Sequence, residues 1–227
     1  MKTITVNEII EFKRKSERSK QTFALKVKLG TDESKLPIKG YYWSSSTSAI
    51  NKSFKSNNLL PVKDKKEQLR RLYQTEDNLR KKNTYEKNIK VLDTFEDLDH
   101  EKWRPTPNLI FKKMSNKNLL VLNIKELDVK VAPSHIYTYD FDEKEYIGAI
   151  WFIAKKTGFK KIELGMFADT LYNYLNKYYS REYLINPQYC IAVDLVNGAD
   201  VNYQELKDGE IPRSLNSTLA ELMKMVH

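Results

Sequence analysis

Residues 161–179 read KIELGMFADTLYNYLNKYY, and residues 189–196 read YCIAVDLV. In the first stretch apolar residues recur at intervals of three and four, which is typical of an amphipathic helix. The second stretch is almost continuously apolar, as in a strand that is buried on both faces. Residues 146–154, YIGAIWFIA, have the same character and precede the helix. These three stretches predict a helix that crosses over a sheet and connects two of its central strands.

Further segments extend this pattern into an α+β fold. Leu119 to Val131 is apolar and β-branched, which predicts one or two strand segments, and Ile136 to Tyr139 predicts another short strand. From about residue 84 the predicted order is helix, three strands, helix and strand. We therefore expect an α/β three-layer core in which a sheet lies between helices.

The first half of the chain differs in charge. Residues 1–120 carry 27 Lys and Arg against 15 Asp and Glu, whereas residues 121–227 carry 12 against 15. Lys63 to Lys82 predicts a helix with one charged side, and residues 23–43 contain stretches that look extended. We divide the chain into a basic, mostly helical N-terminal region, 1–105, and an α/β core domain, 106–227.

Clustered Lys and Arg residues are the electrostatic signature of a surface that contacts phosphates. A solvated helix surface gives the same pattern, so both interpretations stay open. The candidate nucleic-acid-binding residues are Lys13, Arg14, Lys15, Arg18, Lys65, Lys66, Arg70, Arg71, Arg80, Lys81 and Lys82.

The order of the predicted elements, with the phrases Gly148-Ala149-Ile150 and Cys190-Ile191-Ala192-Val193-Asp194, resembles the PD-(D/E)XK nuclease-like superfamily over about half of the chain. The resemblance implies divalent metal ions held by an Asp of the second strand and by an acid of an (Asp/Glu)-x-Lys pair on the third. Here the second strand opens with Pro133-Ser134-His135, and Gly148 to Ile153 contains no carboxylate. We therefore expect the fold without its catalytic motif, and neither a metal nor a cofactor.

A Mg²⁺-dependent nuclease whose metal ligands lie at other positions than in the family motif stays open as an alternative. Glu126, Asp128 and Lys130 alternate along a predicted strand, where residues two apart share a face. The other interpretation is an exposed face of an edge strand. Asp194, inside an apolar strand, is a candidate acid or the cap of a backbone turn. His135 is a candidate acid or base, or a structural histidine.

Tyrosines are concentrated on the predicted helix 161–179 and just after it. Successive helical positions cannot all face the core, so some of these rings should be exposed. Tyr is enriched in protein interfaces, and exposed aromatic rings also stack on bases. The candidate interface residues are Tyr172, Tyr178, Tyr179 and Tyr183.

Other features narrow the class of protein. The chain has one Cys and three His, which argues against disulfides and against a Cys/His zinc site. Its glycines are scattered, so it has no phosphate-binding loop, and the polar start of the chain does not read as a signal peptide. We expect a cytoplasmic protein that makes no membrane contact.

Three functions follow as hypotheses. The first is a non-catalytic, nucleic-acid-associated subunit that binds phosphates through a basic face, and the resemblance suggests a bacterial mobile-element or antiphage defence system. The alternative is an adaptor that docks on another protein through its Tyr-rich helix. The second alternative is a metal-dependent nuclease with a migrated active site.

Overall fold

The computed structural model describes residues 3–30, 42–106, 108–113 and 120–226. The strands are β1 (Ile4–Thr5), β2 (Ile110–Phe111), β3 (Val121–Ile124), β4 (Leu127–Lys130), β5 (His135–Phe141), β6 (Lys144–Ile153), β7 (Leu184–Asp194) and β8 (Ala199–Asn202). The helices are α1 (Val6–Arg14), α2 (Glu17–Leu29), α3 (Ser44–Ser56), α4 (Leu60–Thr75), α5 (Leu79–Asp97), α6 (Lys161–Tyr179), α7 (Tyr203–Lys207) and α8 (Leu215–Val226). A short 3₁₀ helix spans Glu101–Trp103. The chain is α+β, as predicted.

The larger sheet of the described residues has five strands in the order β2-β5-β6-β7-β8. Strands β6 and β7 lie at its centre and run parallel, and the other neighbours are antiparallel. A parallel pair needs a crossover connection, which α6 provides. The helix and the two central strands predicted from the sequence are confirmed.

The two faces of this sheet carry separate apolar cores. One face, with Ala149 of β6, packs on α6, and helices α1, α2 and α8 belong to the same core. The other face, with Ile150 and Phe152, packs on α3, α4 and α5. Helices of the first 105 residues therefore contribute to the apolar cores on both sides of the sheet that the later residues form.

Of the three strands predicted before the crossover helix, the first belongs to another sheet. β3 and β4 form a hairpin in a second sheet, of order β1-β4-β3, in which β1 runs parallel to β4. Lys125 and Glu126 close this hairpin with φ angles of 51° and 65°. The meander of the larger sheet consists of β2, β5 and β6, so the expectation for Leu119 to Val131 is wrong in its sheet assignment.

Two predictions for the N-terminal region are also wrong. The helix expected over Lys63 to Lys82 is divided, because the Asn78 side chain accepts hydrogen bonds from the amides of Arg80 and Lys81 and starts α5 anew. Residues 23–29 are helical rather than extended, and the buried residues of α2, Ala24 and Val27, are three positions apart, as on one side of a helix. The stretch 31–41 lies outside the described residues. No helix in the described ranges is both long enough and apolar enough to cross a membrane.

Candidate nucleic-acid interface

Helices α4 and α5 pack against each other as an antiparallel hairpin, with Leu69 and Leu92 in the core. On the solvent side, the side chains of Arg70, Arg71 and Lys81 are 56%, 75% and 63% exposed. Each has a carboxylate partner at 3.3–3.8 Å. Exposed ion pairs contribute only about 0–1 kcal/mol, so these cations can exchange a carboxylate for a phosphate.

The tip of the hairpin combines cations with exposed apolar surface. Among the described residues, Arg80 and Lys82 have no carboxylate within ion-pair distance. The ammonium group of Lys82 lies 5.6 Å from the centre of the Tyr73 ring. Leu79 is 78% exposed beside them, and Tyr73 is 40% exposed. We name the solvent-facing cations Arg70, Arg71, Arg80, Lys81 and Lys82 the hairpin cations.

The two remaining candidates on α4 have partners within the hairpin. Lys66 is largely buried, and its ammonium group contacts Asp93 at 3.1 Å and also Glu96. Its hydrogen bond to Glu96 raises the pKa of Lys66. Lys65 donates to Gln68 at 2.6 Å. Lys66 therefore joins α4 to α5, and its charge is already balanced by two carboxylates.

The other group of candidates lies where α1 meets α2, and we name Lys13, Arg14, Lys15 and Arg18 the junction cations. Arg14 is engaged within the protein, because its guanidinium donates to Glu163, to Thr157 and to the carbonyl of Gly158. The hydrogen bond to Glu163 raises the pKa of Arg14. Helices α1 and α2 belong to the core opposite that of α4 and α5. The eleven candidate cations therefore form two groups in opposite layers rather than one face.

The residues considered for a displaced metal site do not converge. Asp128 and Lys130 are exposed on β4, whereas Glu126 lies in the β3–β4 turn and so does not share their strand face. The Asp128 carboxylate accepts a hydrogen bond from Asn123 at 2.9 Å. β4 is the central strand of its sheet, so the alternative of an edge strand is also wrong.

Asp194 is buried at the end of β7, in the other sheet. Its two carboxylate oxygens accept from the amides of Phe159 and Val196, at 2.8 and 2.9 Å. Burial raises the pKa of Asp194, and these hydrogen bonds oppose that change. The carboxylate joins the turn after β7 to the loop that enters α6, and its oxygens are occupied by backbone donors.

His135, at the start of β5, packs among aromatic rings. It is stacked on Phe54 with ring centres 5.6 Å apart, and its Nε2 lies 3.1 Å from the carbonyl oxygen of Asn51. Burial lowers the pKa of His135 to about 4, and the nearby charges of Lys55 and Arg104 act in the same direction. The imidazole is therefore neutral at pH 7.

The four candidate tyrosines are half-buried against the core that contains α6. Tyr172 stacks on Tyr203 with ring centres 3.9 Å apart, and the Tyr178 hydroxyl donates to the carbonyl of Val121. Tyr183 accepts a hydrogen bond from Lys112, and Tyr179 contacts Tyr174. These rings have partners inside the protein, in contrast to the exposure that the helical spacing suggested.

One feature was missed by the sequence analysis. A half-enclosed pocket of about 240 Å³ lies where the ends of α3 and α5 meet the 3₁₀ helix. Ser53 of α3 lines it together with His100 and Arg104, which flank the 3₁₀ helix. Ser53 is distant from the other two in sequence, so only the folded chain brings the two segments together.

Within the described residues, no three His, Cys, Asp or Glu side chains are grouped as a metal ion would require. Comparison of the chain with protein-family models, with curated proteins and with solved structures found no match.

Proposed function

We propose that the protein binds nucleic acid through the hairpin cations of α4 and α5, as a non-catalytic cytoplasmic subunit of a larger bacterial assembly. A mobile-element or antiphage defence system is the setting that the family resemblance suggests. The binding would be directed at the phosphate backbone and would not depend strongly on sequence.

The observation that carries this proposal is the cluster of exposed cations on one helical hairpin. Arg71 and Lys81 are exposed and each forms one ion pair, with Glu67 and Glu76, and Arg80 has no such pair among the described residues. Arg side chains can bind phosphates through two parallel hydrogen bonds. The exposed ring of Tyr73 adds a surface on which a base can stack.

The test is fluorescence anisotropy with labelled single-stranded and duplex DNA and RNA, between about 50 and 200 mM salt. We expect an affinity that falls steeply with salt, because each phosphate contact releases counterions. Binding that is absent at low salt, or that is insensitive to salt, would contradict the proposal. Gels run with and without Mg²⁺ test the nuclease alternative, which requires metal-dependent cleavage.

A protein partner is the second candidate. The tip of the hairpin is a better docking surface for such a partner than α6. Leu72, Tyr73 and Leu79 are exposed large apolar side chains beside the cations. An acidic protein with an apolar patch would complement this tip. Light scattering of mixtures with candidate subunits, in the absence of nucleic acid, distinguishes this adaptor function.

A further inference from the structure

The turn between β5 and β6 concentrates negative charge in an otherwise basic protein. Residues 140–145, which we name the acidic turn, read DFDEKE and carry a net charge of −3, whereas the whole chain carries +9. All six residues are exposed. In the part of the chain that the structure describes, no Lys, Arg or His lies within ion-pair distance of the four carboxylates. These charges are therefore available to a partner.

The fold gains nothing from this charge. Asp140 of β5 and Glu145 of β6 lie directly opposite each other in the strand ladder. Like charges at opposed positions destabilise a pair of strands. A basic partner that docks on the acidic turn would relieve the repulsion between these two carboxylates.

The acidic turn has a defined shape. Phe141 pairs with Lys144 across the ladder, and the two residues between them, Asp142 and Glu143, have φ angles of 51° and 58°. Positive φ angles at both central residues are typical of the tight two-residue turn of a β-hairpin. A partner would therefore meet charges on an ordered backbone, and binding would cost little conformational entropy there.

Exposed apolar side chains lie beside these charges. Phe141 is 63% exposed, and the centre of its ring lies 6.4 Å from that of Tyr146. Tyr146 pairs in register with Leu184 of β7, which is 48% exposed. An exposed apolar patch that is bordered by charged residues is typical of a protein interaction site.

The tip of the α4–α5 hairpin complements this surface. It carries the hairpin cations, and Leu79 beside them is 78% exposed. Each surface therefore combines an exposed apolar side chain with charges that the other surface can neutralise. Within one molecule Leu79 and Phe141 both stay exposed, so this contact requires a second copy of the chain.

We propose that copies of this chain associate head to tail, with the α4–α5 hairpin tip of one copy docked on the acidic turn of the next. Such a contact joins two different surfaces, so every added copy offers a free surface for another, and association continues beyond a dimer into a ring or an open chain. Only two small tips meet, and opposite charges hold them, so the association is weak and depends on salt.

The first test is sedimentation equilibrium of the full-length protein. Protein concentrations run from about 10 to about 300 μM, in about 50 mM and about 300 mM salt. We expect the average mass to rise above that of the monomer with concentration at low salt and to return towards the monomer at high salt. A monomer under all conditions, or association that salt does not weaken, would overturn the proposal.

Two complementary variants locate the interface. The turn variant carries Asp140→Lys, Glu143→Lys and Glu145→Lys. The hairpin variant carries Arg71→Glu, Arg80→Glu and Lys82→Glu. We expect each variant alone to associate at least about tenfold more weakly than the unaltered protein, because like charges then face each other.

An equimolar mixture of the two variants should regain association to within about threefold of the unaltered protein, because the intact hairpin of one variant meets the intact turn of the other. A mixture that stays monomeric would overturn the proposal. The control changes the net charge as the hairpin variant does, through Lys13→Glu, Lys15→Glu and Arg18→Glu. This junction variant should associate as the unaltered protein does, and a loss equal to that of the hairpin variant would also overturn the proposal.

The apolar part of the contact has its own matched pair of variants. Phe141→Ser removes the exposed ring, and Ile110→Ser alters a side chain of β2 that is equally exposed, at 63%. Ile110 pairs with Thr138, which is three positions from Phe141 and so faces the other side of the sheet. We expect Phe141→Ser to weaken association by about three- to tenfold and Ile110→Ser by less than about twofold. Equal effects would overturn the assignment of the surface.

A short oligothymidine strand, about one binding site long, separates this inference from the proposed function. The hairpin cations serve both contacts, so a bound strand should lower the average mass of the assemblies. If the mixed variants associate but no strand binds, the proposed function fails and the interface stands. If the strand binds a protein that is monomeric at every concentration, the interface is overturned and the proposed function stands.

Discussion

Arg14 and Glu163 are 149 residues apart in the chain and form a two-point ion pair in which Nε of Arg14 lies 2.6 Å from Oε1 of Glu163. Glu163 is buried in the first turn of α6, and its carboxylate also accepts from the Lys160 amide. Burial raises the pKa of Glu163, but the hydrogen bonds from Arg14 and Lys160 outweigh it and leave this pKa lowered. The pair fixes the end of α1 to the start of α6.

Arg14→Ala should lower the free energy of unfolding by about 1–3 kcal/mol, because it leaves a buried carboxylate without its cation. This loss should be smaller than for a fully buried ion pair, because the Arg14 side chain is one-third exposed. Urea denaturation measures the change. We expect nucleic-acid affinity to change by less than about twofold, as befits one surface charge outside the interface. A large loss of affinity with unchanged stability would assign Arg14 to the interface instead.

Asp194→Ala should destabilise the protein by about 2–4 kcal/mol, since the buried amide of Phe159 and the partly buried amide of Val196 lose their acceptors. Asp194→Asn retains one side-chain oxygen and should cost less. Both variants should leave nucleic-acid binding intact once they are folded, which anisotropy can establish. A variant with wild-type stability that no longer binds nucleic acid would show that Asp194 has a functional role.

His135 should make the protein less stable in mild acid. The unfolded chain binds a proton near the ordinary pKa of 6.5, whereas the folded protein resists protonation until about pH 4. Stability from this group is therefore complete above pH 6.5 and falls as the pH decreases towards 4, by about 2 kcal/mol between pH 7 and 5. His135→Gln should flatten this part of the pH profile in urea denaturation. Parallel profiles for the two proteins would contradict the buried, neutral imidazole.

Gly148 lies where the pairing of β6 with β7 shifts register. A Cβ atom there would come within 2.8 Å of the Tyr189 carbonyl oxygen and 3.0 Å of the Tyr137 ring. Gly148→Ala should therefore lower the free energy of unfolding by about 1–3 kcal/mol. Gly209→Ala is a useful comparison, because nothing lies within 4 Å of its added atom, although its φ of 81° adds backbone strain. A smaller effect at Gly148 than at Gly209 would contradict the close strand contact.

The parts of the fold that the sequence predicted are those with a strong local pattern. The spacing of apolar residues in α6 and the continuous apolar character of β6 and β7 depend on burial within single elements. The sheet assignment of β3 and β4 was not predictable in this way, since it depends on pairing with β1, more than 100 residues earlier. The division of α4 from α5 had a local signal in Asn78, a good helix cap, that the charge pattern obscured.

The candidate site was less predictable because charge alone does not reveal partners. Arg14 and Lys66 look like any other surface cation in the sequence, yet each is bound to a carboxylate that is distant in the chain. Ser53 of the pocket comes to lie near His100 and Arg104 only when the end of α3 meets the segment around the 3₁₀ helix.

The most direct test of the proposed interface compares two variants, each with three charge reversals and the same change in net charge. Arg71, Arg80 and Lys82 become Glu in the hairpin variant, and Lys13, Lys15 and Arg18 become Glu in the junction variant. We predict that the hairpin variant loses at least about tenfold in affinity for single-stranded nucleic acid, with a salt dependence lower by about one unit per lost phosphate contact. The junction variant should lose less than about threefold. Equal losses in both variants, or a larger loss at the junction, would contradict the assignment of the interface to the α4–α5 hairpin.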